Sequence, residues 1–194
     1  MLSYNELKVG MLFIKDGEPY EVLDYAFVRM QQRKPVAQLK IKNLISGKVR
    51  EYAAHQNDSF KEADIEIIPV EFIYARRLPA GRQEYWFHVS GNPKSRFALK
   101  ADIVGEAANY LKQGSEARAF KFNEKIINIE PPVKMDLKVT EAPPGVKGNT
   151  AQGGTKTVTL ETGAKVNVPL FINEGDIIRI NTASGDYVER VEKG

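Results

Sequence analysis

Short apolar stretches alternate with polar residues along most of this chain and end at Gly, Asn, Asp or Pro. In residues 37–42 the odd positions are apolar and the even ones polar. A strand there buries one face and points Lys40 and Lys42 outward. Neighbouring strands are predicted over 20–30 and 48–52. The pattern therefore predicts a three-stranded meander whose first hairpin has its tip at residues 31–35, where Pro35 lacks a donor for the strand ladder.

The rest of the chain repeats this pattern with a single helical exception. A helix is predicted over 102–113, with Asp102 as its N-cap and Gly114 just past its end. Strands are predicted around it at 67–74, 85–89, 117–122 and 126–130. Further strands are predicted at 158–160, 164–168, 170–172, 177–180 and 187–191. Strands with one inserted helix are typical of a five-stranded OB barrel.

The chain is predicted to have three domains, 1–65, 66–130 and 131–194, and the second begins with the strand near residue 67. Pro131 and Pro132 cannot continue a helix or a central strand, so a boundary is placed there. Within the last domain, residues 143–156 are rich in Gly, Pro, Thr and Asn, and we predict a long loop.

Composition places the chain among globular proteins of a reducing compartment. It has 194 residues, 42% of them apolar and 27% charged, and it contains no cysteine. Disulfides, thiolate nucleophiles and Cys-based metal sites are therefore excluded. No segment has the character of a signal peptide or a membrane span. We expect a cytoplasmic protein with no membrane partner.

The charge is concentrated although the net value is only +3. Between residues 29 and 50 there is no acidic residue and there are seven basic ones: Arg29, Arg33, Lys34, Lys40, Lys42, Lys48 and Arg50. A solvated strand face is one interpretation, but such surfaces usually mix signs. A surface that faces RNA phosphates is the alternative that this run favours.

The inventory of reactive groups argues against an enzyme. The two histidines, His55 and His88, are far apart in sequence and lack the spacing of a metal or triad motif. We expect neither catalytic residues nor a metal or cofactor. Trp86, between Tyr85 and Phe87, could be a base-stacking platform, although core packing explains most of this aromatic strand.

Five segments together resemble bacterial elongation factor P: residues 17–22, 27–28, 147–151, 162–175 and 184–190. The resemblance covers the whole chain. It implies an SH3-like barrel of KOW type followed by two OB barrels. It also implies a monomeric translation factor that binds the ribosome between the peptidyl and exit sites, beside peptidyl-tRNA. Such a factor promotes peptide-bond formation at consecutive prolines by positioning the tRNA acceptor end.

The resemblance places the tip that reaches the acceptor end at Gln31, Gln32, Arg33, Lys34 and Pro35. In the family, an enzyme modifies a lysine or arginine at the position of Gln32, so this chain departs from the pattern. Either unmodified Gln32 makes the contact beside Arg33 and Lys34, or a local shift puts one of these cations at the tip. We expect an unmodified or unusually modified tip, with a modifying enzyme as a further partner in the second case.

The resemblance also implies contacts from the third domain to tRNA and ribosome, at Gly148, Asn149, Thr150, Tyr187 and Arg190. Asn149 replaces an aspartate of the family, which is a mild electrostatic change beside RNA. Three alternatives stay open. The chain could be an elongation factor P-like paralogue, a relative of initiation factor five-A, or a general RNA-binding protein of KOW and OB modules.

Overall fold

The computed structural model of the protein describes residues 1–28, 35–144 and 154–194. Most of this described chain is β-strand, arranged in three sheets that follow one another along the sequence. Its one α-helix is short and lies in the middle sheet's segment. The predicted class, an all-β chain of three small barrels in series with one short helix in the second, is therefore confirmed.

The first sheet has six strands in the order β1-β6-β2-β3-β4-β5. They are β1 (Leu2–Ser3), β2 (Leu12–Lys15), β3 (Glu18–Val28), β4 (Val36–Asn43), β5 (Val49–His55) and β6 (Ser59–Glu62). Alternation in β4 buries Leu39 and Ile41 against Phe13, Val22 and Phe60 of the same core. The predicted meander is β3, β4 and β5.

The second sheet has five strands in the order β11-β10-β7-β8-β9. They are β7 (Glu66–Arg77), β8 (Gln83–Val89), β9 (Asn92–Lys100), β10 (Glu116–Phe122) and β11 (Lys125–Glu130). Strand β9 was not expected from the sequence, because most of its residues are exposed and only Leu99 is buried. It pairs with β8 and forms one edge of the sheet.

The helix expected over 102–113 is wrong in length and in its cap. Helix α1 covers only Ala101–Val104, and a 3-10 turn follows at Gly105–Asn109. Lys100, not Asp102, is the N-cap residue. Gly105 has φ 55° and ψ −136°, a conformation that leaves the helical region, so the apolar stripe beyond it cannot continue the helix.

The third sheet has five strands in the order β14-β13-β12-β15-β16. They are β12 (Lys134–Glu141), β13 (Thr155–Leu160), β14 (Lys165–Pro169), β15 (Ile177–Asn181) and β16 (Asp186–Glu192). Strand β12 was not expected, although Met135, Leu137 and Val139 alternate with polar residues and are buried. Strands β14 and β16, the two edges of this sheet, approach each other.

The strand expected at 170–172 is wrong, because β14 ends at Pro169 and a turn follows. The N–H of Ile172 donates to the carbonyl oxygen of Pro169 at 3.2 Å, and the Ile172 side chain is fully buried. Of this short apolar run, only Ile172 enters the core, since Phe171 is 55% exposed. The loop expected at 143–156 lies mostly outside the described residues, and its last two residues belong to β13.

The described residues divide into two compact units. One comprises residues 1–68 with 119–128, and the other comprises 69–118 with 129–194. The domain boundaries after residues 65 and 130 stay predictions.

Candidate nucleic-acid interface

The β3–β4 hairpin is the longest paired element of the first sheet. Its antiparallel register runs from Tyr20 opposite Asn43 to Val28 opposite Val36. Near the far end, Phe27 is about half exposed, and its ring lies 6.4 Å from that of Tyr4. The hairpin is therefore held by backbone pairing along its length and by a ring contact near its tip.

The predicted tip residues Gln31, Gln32, Arg33 and Lys34 lie outside the described residues, as does Arg29 of the basic run. Pro35 is described, and it lies directly before β4 and is partly buried. The last described pair of the hairpin, Val28 with Val36, therefore fixes where the tip segment begins and ends.

Lys40 and Lys42 point outward from β4, as the alternation predicts. The register places acidic residues directly beside them: Lys40 lies opposite Asp24 of β3 and Glu51 of β5, and Lys42 lies opposite Glu21. Side chains directly opposite on neighbouring strands are in contact range. The outer face of this sheet thus mixes signs, although the sequence run itself has no acid.

Arg50 lies on the other face of the sheet. It pairs with buried Ile41, and its Nη2 donates to the Tyr20 hydroxyl at 2.9 Å. Its guanidinium carbon lies 4.9 Å from the centroid of the Tyr20 ring. Lys48 is exposed just before β5. The four described residues of the basic run therefore do not share one face.

Tyr187 and Arg190 lie on β16, opposite the buried residues Ile180 and Ile178 respectively. Tyr187 packs against the hydrophobic core of the third sheet. Arg190 donates from Nη1 to Asp176 Oδ2 at 3.4 Å and lies 5.2 Å from the centroid of the Phe171 ring. Gly148, Asn149 and Thr150, the other predicted contacts of this domain, lie outside the described residues.

Asp176 was missed by the sequence reasoning, because an isolated Asp in a turn carries no signal of burial. Its side chain is 1% exposed, and it accepts the backbone N–H groups of Asn173 at 2.9 Å and Gly194 at 3.0 Å. Burial alone would raise the pKa of Asp176, but these N–H groups and Arg190 outweigh it and hold the pKa below its ordinary value. This carboxylate therefore stays charged and anchors Arg190.

The residues of the aromatic strand β8 alternate between the buried face and the outer face of the sheet. Tyr85 and Phe87 are buried, whereas Trp86 lies on the outer face, where its ring stacks on Tyr74 of β7 with centroids 6.0 Å apart. The core interpretation holds for the first two residues only. The tyrosine partner comes from another strand, so no local sequence pattern reveals the pair.

Groups of the kind that bind metals do not cluster in the described residues. In the same part of the chain, no helix is long and apolar enough to span a bilayer.

Two family models match the chain. The elongation factor P KOW-like domain matches residues 3–60, and the elongation factor P C-terminal domain matches residues 135–190. A protein called elongation factor P from Alkaliphilus oremlandii is 36% identical over 98% of this chain and all of its own length. Another of that name from a Hydrogenobaculum species is 36% identical over 99% of this chain and 96% of its own.

These matches define a translation factor built of small β domains. The chain belongs to the elongation factor P family. Among solved structures, translation initiation factor 5A from Methanococcus jannaschii aligns with 66% of this chain and 92% of its own, at 15% identity and a TM-score of 0.45. An initiation factor 5A family protein from Naegleria fowleri aligns with 66% of this chain and 96% of its own, at 8% identity and a TM-score of 0.44.

Proposed function

We propose that this protein acts in the cytoplasm as a non-enzymatic factor that binds the ribosome between the peptidyl and exit sites. There it contacts peptidyl-tRNA and promotes peptide-bond formation at consecutive prolines by positioning the tRNA acceptor end. The three domains 1–65, 66–130 and 131–194 are proposed to span the tRNA, with the tip of the first domain at the acceptor end.

The observation that carries this proposal is the β3–β4 hairpin. From Tyr20 to Val28 it extends for about 26 Å at the usual rise of about 3.3 Å per residue. Its base is anchored by Tyr20, which is buried and bound by Arg50. The paired part of an arm that is anchored in a core loses less conformational entropy on binding than a free segment would.

Positioning is a sufficient mechanism for a factor of this kind. The proline ring fixes φ near −65°, so a prolyl residue cannot rotate freely into the geometry of attack. Holding reacting groups in place lowers a barrier by as much as about 7–11 kcal/mol in the most favourable cases. The ribosome supplies the reacting site, and the protein needs no proton-transfer group of its own.

The tip is proposed to act through Gln31, Gln32, Arg33, Lys34 and Pro35. Arg33 and Lys34 supply positive charge for phosphates of the tRNA end, and Gln32 supplies amide hydrogen bonds in place of a modified lysine or arginine. The basic residues Arg29, Lys40, Lys42, Lys48 and Arg50 are also proposed to face RNA, with Arg29 next to the tip and the other four, which lie on more than one face of the sheet, nearer the base of the arm.

The third domain is proposed to contact tRNA and ribosome through Gly148, Asn149, Thr150, Tyr187 and Arg190. In the described part, the pair with Asp176 supports this role, because it fixes the Arg190 guanidinium while the Arg190 side chain remains 32% exposed. An anchored guanidinium loses less freedom when it binds a phosphate.

The proposal is tested in a reconstituted translation system with two messages, one encoding three consecutive prolines and one encoding none. We expect the protein to relieve the pause on the first message and to leave the second nearly unchanged. Equal stimulation of both messages would contradict the proposal. The tip is tested by the double variant Arg33→Ala with Lys34→Ala, which should lose most of this relief.

The matched control removes two exposed cations of the same domain, Lys8→Ala with Lys61→Ala. It should retain the relief, since neither residue lies on the hairpin. If the two double variants behave alike, the tip does not carry the function. Intact mass of the protein from its own source shows whether any tip residue is modified.

A further inference from the structure

A second basic stretch of the sequence lies in the second sheet. Residues 76–100 contain one acidic residue, Glu84, and six basic ones: Arg76, Arg77, Arg82, Lys94, Arg96 and Lys100. This stretch comprises the end of β7, all of β8 and all of β9. It belongs to one compact unit, so its geometry is that of a single body.

The register of β7, β8 and β9 places charged and aromatic side chains of this region on one face of the sheet. Across the three strands, Arg76, Glu84 and Lys100 form one row, and Tyr74, Trp86 and Ala98 form the next. All six lie on the side opposite buried Tyr85, Phe87 and Leu99.

A third row, Glu71, His88 and Arg96, completes this face. His88 Nε2 lies 3.7 Å from Glu71 Oε2, so the carboxylate of this row contacts the imidazole of His88. Arg96 is exposed, and its Nε donates to the carbonyl oxygen of Pro93. Cations thus lie on both sides of the aromatic row, two on the side where Glu84 stands between Arg76 and Lys100, and one on the side of Arg96.

The two rings of the aromatic row are arranged as a platform. They are inclined by only 19°, and Tyr74 is 43% exposed although it stacks on Trp86. Among the described residues, the Trp86 indole N–H is buried and has no hydrogen-bond partner. Ala98, on the other side of Trp86, is too small to cover the indole.

We propose that this face, the Tyr74–Trp86 platform, binds an unpaired nucleotide segment of RNA. A base stacks on the exposed surface of the ring pair, and the flanking phosphates contact Arg76 and Lys100 on one side and Arg96 on the other. Stacked aromatics with cations around them bind single strands in this way, because every base has an aromatic face and every phosphate a charge. The inference concerns a site separate from the hairpin tip.

The chain offers a direct reporter, since Trp86 is its only tryptophan. Titration with a single-stranded oligoadenylate of about ten nucleotides should quench its fluorescence in a saturable way. A duplex of the same length should quench far less, because its bases are not free to stack. Equal quenching by single strand and duplex, or no quenching at about 50 mM salt, would overturn the proposal.

Two variants separate stacking from charge, with labelled oligoadenylate as a second readout. Tyr74→Leu should weaken binding roughly ten-fold or more and leave the salt dependence unchanged. Arg76→Ala with Lys100→Ala should also weaken binding and lower the slope of log K against log salt by about 1.4, since each single-strand phosphate contact contributes about 0.7. Unchanged affinity in both variants would refute the site.

The charge control is Lys134→Ala with Lys165→Ala, two exposed cations of the third sheet. It should retain the affinity and slope of the original protein. The variant Arg33→Ala with Lys34→Ala should retain the Trp86 quenching even if it abolishes relief of the proline pause. Loss of quenching in either variant would place the RNA elsewhere on the chain and overturn the assignment.

Discussion

Removal of the Asp176 carboxylate, which lies directly before β15, should loosen the third sheet more than any single polar substitution within β15 or β16. In Asp176→Ala, the N–H groups of Asn173 and Gly194 and the Arg190 guanidinium lose their acceptor. A hydrogen bond to a charged group contributes about 1.5–3 kcal/mol, and the two N–H bonds at 2.9 and 3.0 Å are well formed. The Arg190 pair adds less, since it is longer and partly exposed.

These contributions are not additive, so we expect Asp176→Ala to lower the free energy of unfolding by about 3–5 kcal/mol. Asp176→Asn keeps one acceptor oxygen and the side-chain volume, and should cost about 1–3 kcal/mol. Because the chain has two compact units, a single unfolding transition is not assumed. Amide hydrogen exchange of β15 and β16 measures the loss directly, as reduced protection in those strands.

The effect should depend on pH in one direction. The pKa of Asp176 is lowered in the folded protein, so its stabilisation is present above the unfolded pKa of about 3.9 and is lost as pH falls through the folded value. The difference between the original protein and Asp176→Asn should therefore be constant near pH 7 and shrink below about pH 4. A difference under about 0.5 kcal/mol for Asp176→Ala at pH 7, or one that persists unchanged to pH 2, would refute the reasoning.

Two further substitutions test packing in the same unit, both by thermal unfolding. Gly185 has φ 77°, and a Cβ there would lie 3.0 Å from the Tyr110 hydroxyl oxygen. We therefore expect Gly185→Ala to lower the free energy of unfolding by about 1–3 kcal/mol. The loss should be smaller in a Tyr110→Phe background, which lacks that oxygen. Equal costs in both backgrounds would show that the backbone alone is responsible. Within the described residues the buried Thr162 hydroxyl has no hydrogen-bond partner, so the isosteric Thr162→Val should stabilise by about 1 kcal/mol, and a destabilised variant would reveal a partner there.

Alternation predicted strands β3, β4 and β5 of the first sheet, whereas the short strands β1, β2 and β6 were not predicted. The 37–42 strand shows this most clearly, since period-two burial is written directly in its residues. The helix at 102–113 failed because a stripe of Ile103, Ala107 and Leu111 is compatible with helical periodicity, while the conformation of Gly105 is set by the surrounding fold.

The candidate site was harder to predict than the fold, because charge and stacking depend on pairing between strands. The run around Lys40 has no acid along the chain, yet Asp24 and Glu51 flank it in the sheet. Tyr74 and Trp86 meet only because β7 and β8 pair in this register. Residues that lie side by side on a sheet surface come from different strands, so their contact cannot be seen in the sequence.

Strand β3 contains one extra residue within the β3–β4 hairpin. The register skips from Val22 to Asp24, so Leu23 has no opposite residue in β4. A bulge of this kind bends its strand and increases the local twist. Deletion of Leu23 should therefore change the direction in which the hairpin projects without removing any of its cations. The direction of the hairpin and its positive charge therefore depend on different residues, and a substitution or deletion can change one and leave the other.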